Sequence, residues 1–245
     1  MPSLPPNSDL PLRLLLAPLL AAQAISVRRS ARFLPEPSGP RSGTLGDGPP
    51  LRLLITGDSS AAGVGAPTQD LALSGQLVAR LAETFRVSWH LYARTGHTTA
   101  DTLAMLNALP KTRCDIAVTA LGVNDVTRAT TTRRWQKRQT HLLDLLRTRF
   151  GVAHSFVTGL PPMGLFPLLP QPLAWVLGAQ ATRFDKALEN ITKSHADAHH
   201  VRVSYPLDPD LSAADGYHPT PKAYGLWAQE MAAQITTHWP TSPRP

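Results

Sequence analysis

The chain has 245 residues, of which 42% are hydrophobic, enough for one substantial core near the upper size limit of a single compact domain. The formal net charge is +7, but no aromatic residues interleave with the basic stretches as a base-stacking surface requires, so we expect no nucleic-acid partner. The single cysteine, Cys114, excludes an internal disulfide framework and a cysteine-based metal site.

The first fifty residues differ in composition from the rest of the chain. A proline-rich start is followed by an apolar run from Leu14 to Ala24, by Arg28, Arg29 and Arg32, and by a proline- and glycine-rich stretch to Pro50. We interpret residues 1–50 as an apolar and basic appendage with a linker, and residues 51–240 as the main domain.

The apolar run bears on where the protein is found. Arg13 bounds it and Pro18 interrupts it, so it is too short for a membrane-spanning helix. The segment Ala22-Gln23-Ala24 resembles a signal-peptide cleavage site, but the start of the chain lacks a cluster of positive charges, and the arginine cluster follows the apolar run, whereas in a signal peptide it precedes the run. We therefore expect a cytoplasmic protein whose N-terminal segment packs on the domain or makes peripheral contact with a membrane, with export as the less favoured alternative.

From Leu51 onward, short apolar runs alternate with longer segments of helical period, which predicts alternating strands and helices. The predicted strands are Leu51–Thr56, Val87–Tyr92, Ile116–Leu121, Ala153–Gly159 and Val201–Tyr205. The predicted helices are Leu71–Phe85, Ala100–Leu109, Thr132–Phe150, Leu173–Ala196 and Pro221–His238. This order predicts an α/β fold with a doubly wound sheet of about five parallel strands, in which sites form beyond the carboxyl ends of the strands.

A candidate nucleophile follows the first predicted strand, where the tripeptide Gly-Asp-Ser places Ser59 at the carboxyl edge of the sheet. A serine hydroxyl needs a neighbouring base to take its proton, so a histidine and its orienting acid are required. Asp215 and His218 lie in a Gly/Pro-bearing loop beyond the last predicted strand, at the same edge. Asp197 and His200 have the same spacing but lead into that strand from the opposite edge. We therefore predict Ser59, Asp215 and His218 as the catalytic residues.

Acyl transfer also needs hydrogen-bond donors for the oxyanion of its tetrahedral intermediate. Gly96 and Asn124 follow the second and third predicted strands. Glycine lets a backbone N–H approach closely, and an asparagine amide supplies a neutral donor. With the N–H of Ser59, these residues make three candidate donors at one edge of the sheet.

Four ordered blocks resemble the SGNH hydrolase superfamily, also called GDSL esterases and lipases, over about Leu51 to Trp239. The blocks are Gly-Asp-Ser59, Gly96, Gly122-x-Asn124-Asp125 and Asp215-x-x-His218. The resemblance implies a flavodoxin-like, three-layer α/β/α fold, esterase activity in the domain of residues 51–240, no metal or cofactor, and an oxyanion hole of Ser59, Gly96 and Asn124. Ser60 departs from the pattern, since the GDSL name has leucine there, but that position is not catalytic in the family.

The apolar, proline-rich segment from Gly159 to Pro172 is a candidate wall for the site. It carries Leu165 and Phe166, and Trp175 follows it, so we expect these three side chains to bind substrate. We favour a small-molecule carboxylic ester with a short- to medium-length acyl chain; polysaccharide deacetylation, lysophospholipid cleavage and thioester hydrolysis stay open. A non-catalytic binding module on the same fold is the alternative from another class.

Overall fold

The computed structural model of the protein describes residues 10–30, 32, 34–203 and 208–239. Its strands are β1 (Ser42–Leu45), β2 (Pro50–Gly57), β3 (Arg86–Ala93), β4 (Ile116–Ala120), β5 (His154–Thr158) and β6 (Ala198–Val201). Its helices are α1 (Leu10–Leu15), α2 (Ala17–Ser30), α3 (Ser59–Ala62), α4 (Leu73–Ala82), α5 (Thr99–Ala108), α6 (Val123–Thr127), α7 (Thr132–Phe150), α8 (Leu173–Lys193) and α9 (Pro221–His238).

The strands form one sheet in the order β1-β3-β2-β4-β5-β6. Strands β2 to β6 pair in parallel, which confirms the predicted doubly wound sheet. The additional strand β1 runs antiparallel to β3 at the edge of the sheet, with Ser42 opposite His90. The segment of residues 1–50, interpreted as an appendage with a linker, therefore contains a strand. The four exposed residues of β1 are too few to show an alternation of apolar and polar side chains in the sequence.

The central strand β2 separates two apolar layers. Leu53 and Ile55 pack with α4 and α9, whereas Leu54 packs with α5 and α7 on the other face, and all three side chains are fully buried. Burying each of them contributes roughly 1.5–3 kcal/mol to stability. Cys114 lies in the second layer, where burial, followed by the neighbouring Asp115, raises the pKa of its thiol to about 11.

Local capping explains why two helices have their predicted bounds. The hydroxyl of Thr131 accepts a hydrogen bond from the N–H of Arg134 at the start of α7, and Gly151 ends that helix at φ +67°. Thr220 caps α9 in the same way, with Pro221 as its first residue.

The last strand is displaced from its predicted position. We predicted Val201–Tyr205, but β6 spans Ala198–Val201, and residues 204–207 lie outside the described residues. His199 and His200 occupy the middle of β6 and break the apolar pattern on which the prediction depended.

Helix α2 lies against α8, and both α1 and α2 are largely exposed. The side chain of Gln23 donates a hydrogen bond to the carbonyl of Gln171 (2.6 Å) and accepts one from the N–H of Leu173 (3.1 Å). Within the described residues, no helix combines the length and apolar character needed to cross a bilayer.

Candidate active site

Three loops leave the sheet at the same level, at its carboxyl edge. Gly57 of β2 lies in register with Ala93 of β3 on one side and Ala120 of β4 on the other. The strands are so close at this point that a Cβ on Gly57 would lie 2.3 Å from the carbonyl oxygen of Ala120. Residues that follow these three strand ends are therefore brought together.

Ser59 is the first residue of the short helix α3. Asp58 caps this helix by accepting hydrogen bonds from the N–H (3.0 Å) and the hydroxyl (2.7 Å) of Ser60. Burial raises the pKa of the Asp58 carboxyl, and the two bonds from Ser60 oppose that effect. Ser60, which replaces the leucine of the family name, thus holds the cap beside Ser59.

The structure brings His218 and Asp215 to Ser59. The His218 Nε2 atom lies 2.8 Å from the Ser59 Oγ atom, and His218 Nδ1 lies 2.5 Å from Asp215 Oδ2. The other carboxylate oxygen of Asp215 accepts bonds from the N–H groups of Tyr217 and His218, both at 3.0 Å. Burial opposes ionisation of Asp215, but the bonds from His218 and Tyr217 hold the pKa of its carboxyl below the usual range. A charged carboxylate therefore faces the imidazole.

The alternative pair, Asp197 and His200, lies elsewhere. His200 Nε2 makes a 2.8 Å contact with Asp185 Oδ1 on α8. The same oxygen accepts the N–H of Leu160 at 3.0 Å, at the beginning of the segment that follows β5. Asp185 and His200 thus fix a wall of the site, a role that the sequence analysis did not assign to either residue.

Gly96 and Asn124 lie in the loops that follow β3 and β4. Gly96 has φ +80°, a conformation that favours glycine, and its carbonyl accepts a bond from Arg128 at 2.9 Å. The amide nitrogen of Asn124 donates to the carbonyl of His97 at 3.0 Å, which joins the two loops. Because this amide carries two hydrogens, one remains for a ligand.

The loop of Asn124 is also held from behind by a buried carboxylate. Asp125 is fully buried and accepts bonds from the N–H and the hydroxyl of Thr99, both at 2.8 Å. Arg138 lies 3.4 Å from its other oxygen, and Gln139 donates to the Thr99 hydroxyl at 3.0 Å. These contacts fix α6, and hence Asn124, against α5 and α7.

A cavity of about 430 Å³ opens beside Ser59 and His218. Most of its lining side chains are apolar and include Leu121, Leu160, Leu165, Phe166, Leu211 and Trp227. Leu165 and Phe166 thus lie where a substrate-binding role requires. Trp175 is not among the lining residues, because it lies on α8 beyond the proline-rich segment.

Two aromatic residues of the cavity were missed by the sequence analysis. Tyr217 packs edge-on against Phe166, with ring centroids 5.0 Å apart, and against the ring of His218 at 5.3 Å. Trp227 reaches the cavity from α9, one turn after Ala223, which also lines it. The sequence offered one signal for each residue. Tyr217 lies inside the Asp-x-x-His block, and Trp227 follows Ala223 by four residues, which places both on one side of a helix.

Comparison with known proteins identifies the family. The GDSL-like lipase/acylhydrolase family model matches residues 55–226, and the chain belongs to this family. It is accordingly a hydrolase that acts on ester bonds. No curated protein sequence gives a significant match to the chain.

Solved structures with low sequence identity show the same fold. The chain resembles a carbohydrate esterase family 2 enzyme plus carbohydrate-binding domain from Corynascus thermopiles (Myceliophthora fergusii), with 18% identity, TM-score 0.63, and 82% of this chain and 68% of that chain covered. It resembles the psychrotrophic esterase EstA from Pseudoalteromonas sp., with 22% identity, TM-score 0.58, and 76% and 97% covered. It also resembles a lipase/acylhydrolase from Enterococcus faecalis, with 17% identity, TM-score 0.60, and 79% and 100% covered.

Proposed function

We propose that the protein is a serine esterase that hydrolyses carboxylic esters through an acyl-enzyme on Ser59. The hydrogen-bonded chain from Ser59 through His218 to Asp215 carries this proposal, because it joins a nucleophile, a base and an orienting acid at the mouth of an apolar cavity.

Each of these residues has a defined role in the proposed reaction. Ser59 Oγ attacks the ester carbonyl while His218 Nε2 takes its proton, and His218 then gives that proton to the leaving alcohol. Asp215 holds the imidazole with Nδ1 protonated and stabilises the imidazolium. In the second half of the reaction, His218 activates a water molecule that releases the acid from Ser59.

The charge on the tetrahedral oxygen is stabilised by neutral donors. We assign this role to the backbone N–H groups of Ser59 and Gly96 and to the second N–H of the Asn124 amide. Their arrangement is supported by the registered strand ends and by the bond from Asn124 to His97. Loss of one such donor typically lowers kcat by about 10²- to 10³-fold.

The cavity favours an apolar acyl group of short to medium length. Its volume of about 430 Å³ lies within the range of pockets that bury small ligands. Leu165 and Phe166 present apolar surface next to Ser59, whereas a sugar would require a dense set of hydrogen-bonding partners on this wall.

Hydrolysis of p-nitrophenyl esters of increasing acyl length tests the proposal. Wild type should turn over short and medium chains, and Ser59→Ala should lower kcat by at least about 10⁴-fold, because the residues of a triad act as a unit. A fluorophosphonate probe should label wild type and leave Ser59→Ala unlabelled. The matched control is Ser194→Ala, which removes a hydroxyl at the end of α8. This variant should hydrolyse the esters and react with the probe as wild type does.

Three outcomes would overturn the proposal. Labelling that persists in Ser59→Ala would place the nucleophile elsewhere. An absence of both labelling and turnover in folded wild type would favour a non-catalytic binding module. Rapid release of acetate from an acetylated polysaccharide, without turnover of the acyl series, would favour a carbohydrate deacetylase.

A further inference from the structure

An apolar surface lies outside the cavity, on α1 and α2. It consists of the exposed side chains Leu12, Leu14, Leu15, Leu19 and Ile25, and we call it the N-terminal apolar surface. These five are the majority of the nine large hydrophobic side chains that are exposed in the described part of the chain. Their concentration on one segment distinguishes them from scattered surface leucines.

Helix α2 is attached to the domain along one side. Leu16, Leu20, Gln23 and Val27 are half-buried, and their spacing of three or four residues places them on one side of a helix. Gln23 bonds to the backbone at Gln171 and Leu173, at the end of the segment that walls the cavity. Helix α2 is therefore held in place while the leucines of the N-terminal apolar surface stay exposed.

The helix that carries part of the N-terminal apolar surface is attached to the segment that forms the cavity wall. The segment of residues 160–172, to which Gln23 is attached, also carries Leu165, whose side chain is 61% exposed and lines the cavity. The same segment thus contacts both α2 and the site.

Positive charge accompanies the apolar residues. Between residues 10 and 34 the sequence contains four arginines and no acidic residue. Arg28, Arg29 and Arg32 are exposed at and after the end of α2. An apolar helix with a cluster of basic residues is typical of segments that lie in the headgroup region of an anionic bilayer, where each basic residue adds to the attraction.

We propose that α1 and α2 bind the surface of a bilayer that contains anionic phospholipids. The leucines enter the boundary between headgroups and acyl chains, and the arginines contact the anionic headgroups. An additional consequence rests on the proposed esterase function: an ester dissolved in the bilayer would reach Ser59 past Leu165.

Sedimentation of the full-length chain with phospholipid vesicles tests this proposal. We expect binding to vesicles of equal parts phosphatidylcholine and phosphatidylserine that is at least about tenfold tighter than binding to phosphatidylcholine alone. Raising the salt concentration should weaken the binding, because the charges are exposed.

Leucine variants test the apolar contact. The triple change Leu14→Ser, Leu15→Ser and Leu19→Ser should weaken binding to the mixed vesicles by at least about tenfold, since it removes apolar area that would leave water. The matched control replaces Leu71 and Leu226, which are 44% and 37% exposed elsewhere, by serine and should bind as wild type does.

Arginine variants test the charge contact. The pair Arg28→Gln and Arg29→Gln should lower binding to the mixed vesicles by about tenfold and leave the weak binding to phosphatidylcholine unchanged. The control pair, Arg133→Gln and Arg134→Gln, removes exposed arginines of α7 and should leave binding unchanged.

Several results would overturn the proposal. Wild type that stays in the supernatant with the mixed vesicles contradicts it, as does binding that survives the triple leucine change. A dimer in light scattering that the triple change dissociates, with no vesicle binding, would make the surface a contact between two copies of the chain. Vesicle binding needs no turnover, so a chain that binds vesicles but hydrolyses no soluble ester would contradict the proposed function alone.

Discussion

At the scale of single residues, the ionisation of Asp215 determines which nitrogen of His218 carries the proton. Its carboxylate is buried, yet the bonds from His218 and Tyr217 keep its pKa below the usual value for aspartate. It therefore stays ionised throughout the neutral range, and the proton on His218 Nδ1 is directed towards it. That orientation leaves Nε2 to accept the proton of Ser59 in the proposed reaction.

Asp215→Asn should remove this orientation with little change in shape. The new amide can donate to Nδ1 and so favour the tautomer whose Nε2 carries the proton, which cannot act as a base. We expect kcat to fall by about 10³- to 10⁴-fold. Steady-state hydrolysis of p-nitrophenyl butyrate measures the loss, and Asp197→Asn, at the alternative pair, is the matched control. Equal activity of the two variants would contradict the assignment.

At the scale of elements, the beginning of the segment that follows β5 is held by a residue of α8 that lies 25 positions further along the chain. Asp185 on α8 accepts the N–H of Leu160 and pairs with His200 of β6, so three elements meet at one carboxylate. Burial opposes its ionisation, but the bonds from His200 and Leu160 hold the pKa of Asp185 below its usual value. The carboxylate thereby fixes the beginning of the cavity wall.

Asp185→Ala should loosen that wall and leave the triad in place. We expect KM for medium-chain esters to rise about three- to tenfold, with kcat for p-nitrophenyl acetate nearly unchanged. The lost hydrogen bond to a charged group is worth about 1.5–3 kcal/mol, but it acts on the substrate only indirectly, through the position of the wall. The control is Glu189→Ala, which removes an acid from the same helix. A proportional fall in kcat for all chain lengths would instead indicate damage to the triad.

Element bounds were predictable where local chemistry decides them. Thr131 and Thr220 cap α7 and α9 within one turn of sequence, so the bounds of these helices follow from neighbouring residues. Strand β1 and the position of β6 depend instead on pairing with β3 and β5, which are distant in sequence. Local patterns carry no information about such pairs.

The same distinction applies to the candidate site. Ser59, Gly96 and Asn124 follow strand ends, so alternation of strands and helices was enough to place them at one edge. The bond from Asp185 to Leu160 and the approach of Trp227 to the cavity depend on how α8 and α9 cross the sheet. Trp175 follows the wall in sequence, but it is not among the residues that line the cavity, and its contact with substrate stays a prediction.

At the scale of the whole molecule, a histidine cluster couples stability to pH. His199 of β6 stacks on Phe156, and its Nε2 lies 3.0 Å from Nδ1 of His154. Its ring also packs at a tilt against His238 of α9, with ring centroids 4.0 Å apart. Burial, followed by the charges of His238 and His154, lowers the pKa of His199 from 6.5 to about 4. The folded state therefore holds fewer protons here than the unfolded state, and the contribution of His199 to stability is lost as pH falls from 6.5 towards 4.

His199→Gln should flatten this dependence. Its free energy of unfolding should fall less than that of wild type between pH 6.5 and pH 4, because the variant has no imidazole to protonate at this position. Urea denaturation at several pH values measures the difference, and His90→Gln on β3 is a control outside the cluster. If the free energy of unfolding depended on pH in the same way for wild type and His199→Gln, protonation of the cluster would not be coupled to unfolding.

The buried position of Cys114 also determines how the protein reacts with electrophiles. Its thiol is the only one in the sequence, is enclosed beside α5 and α7, and with a pKa of about 11 is almost wholly protonated at neutral pH. Maleimides and mild oxidants should therefore leave the native chain unmodified and react after that layer opens. One cysteine placed on the surface would then carry a fluorophore without a competing site in the native protein.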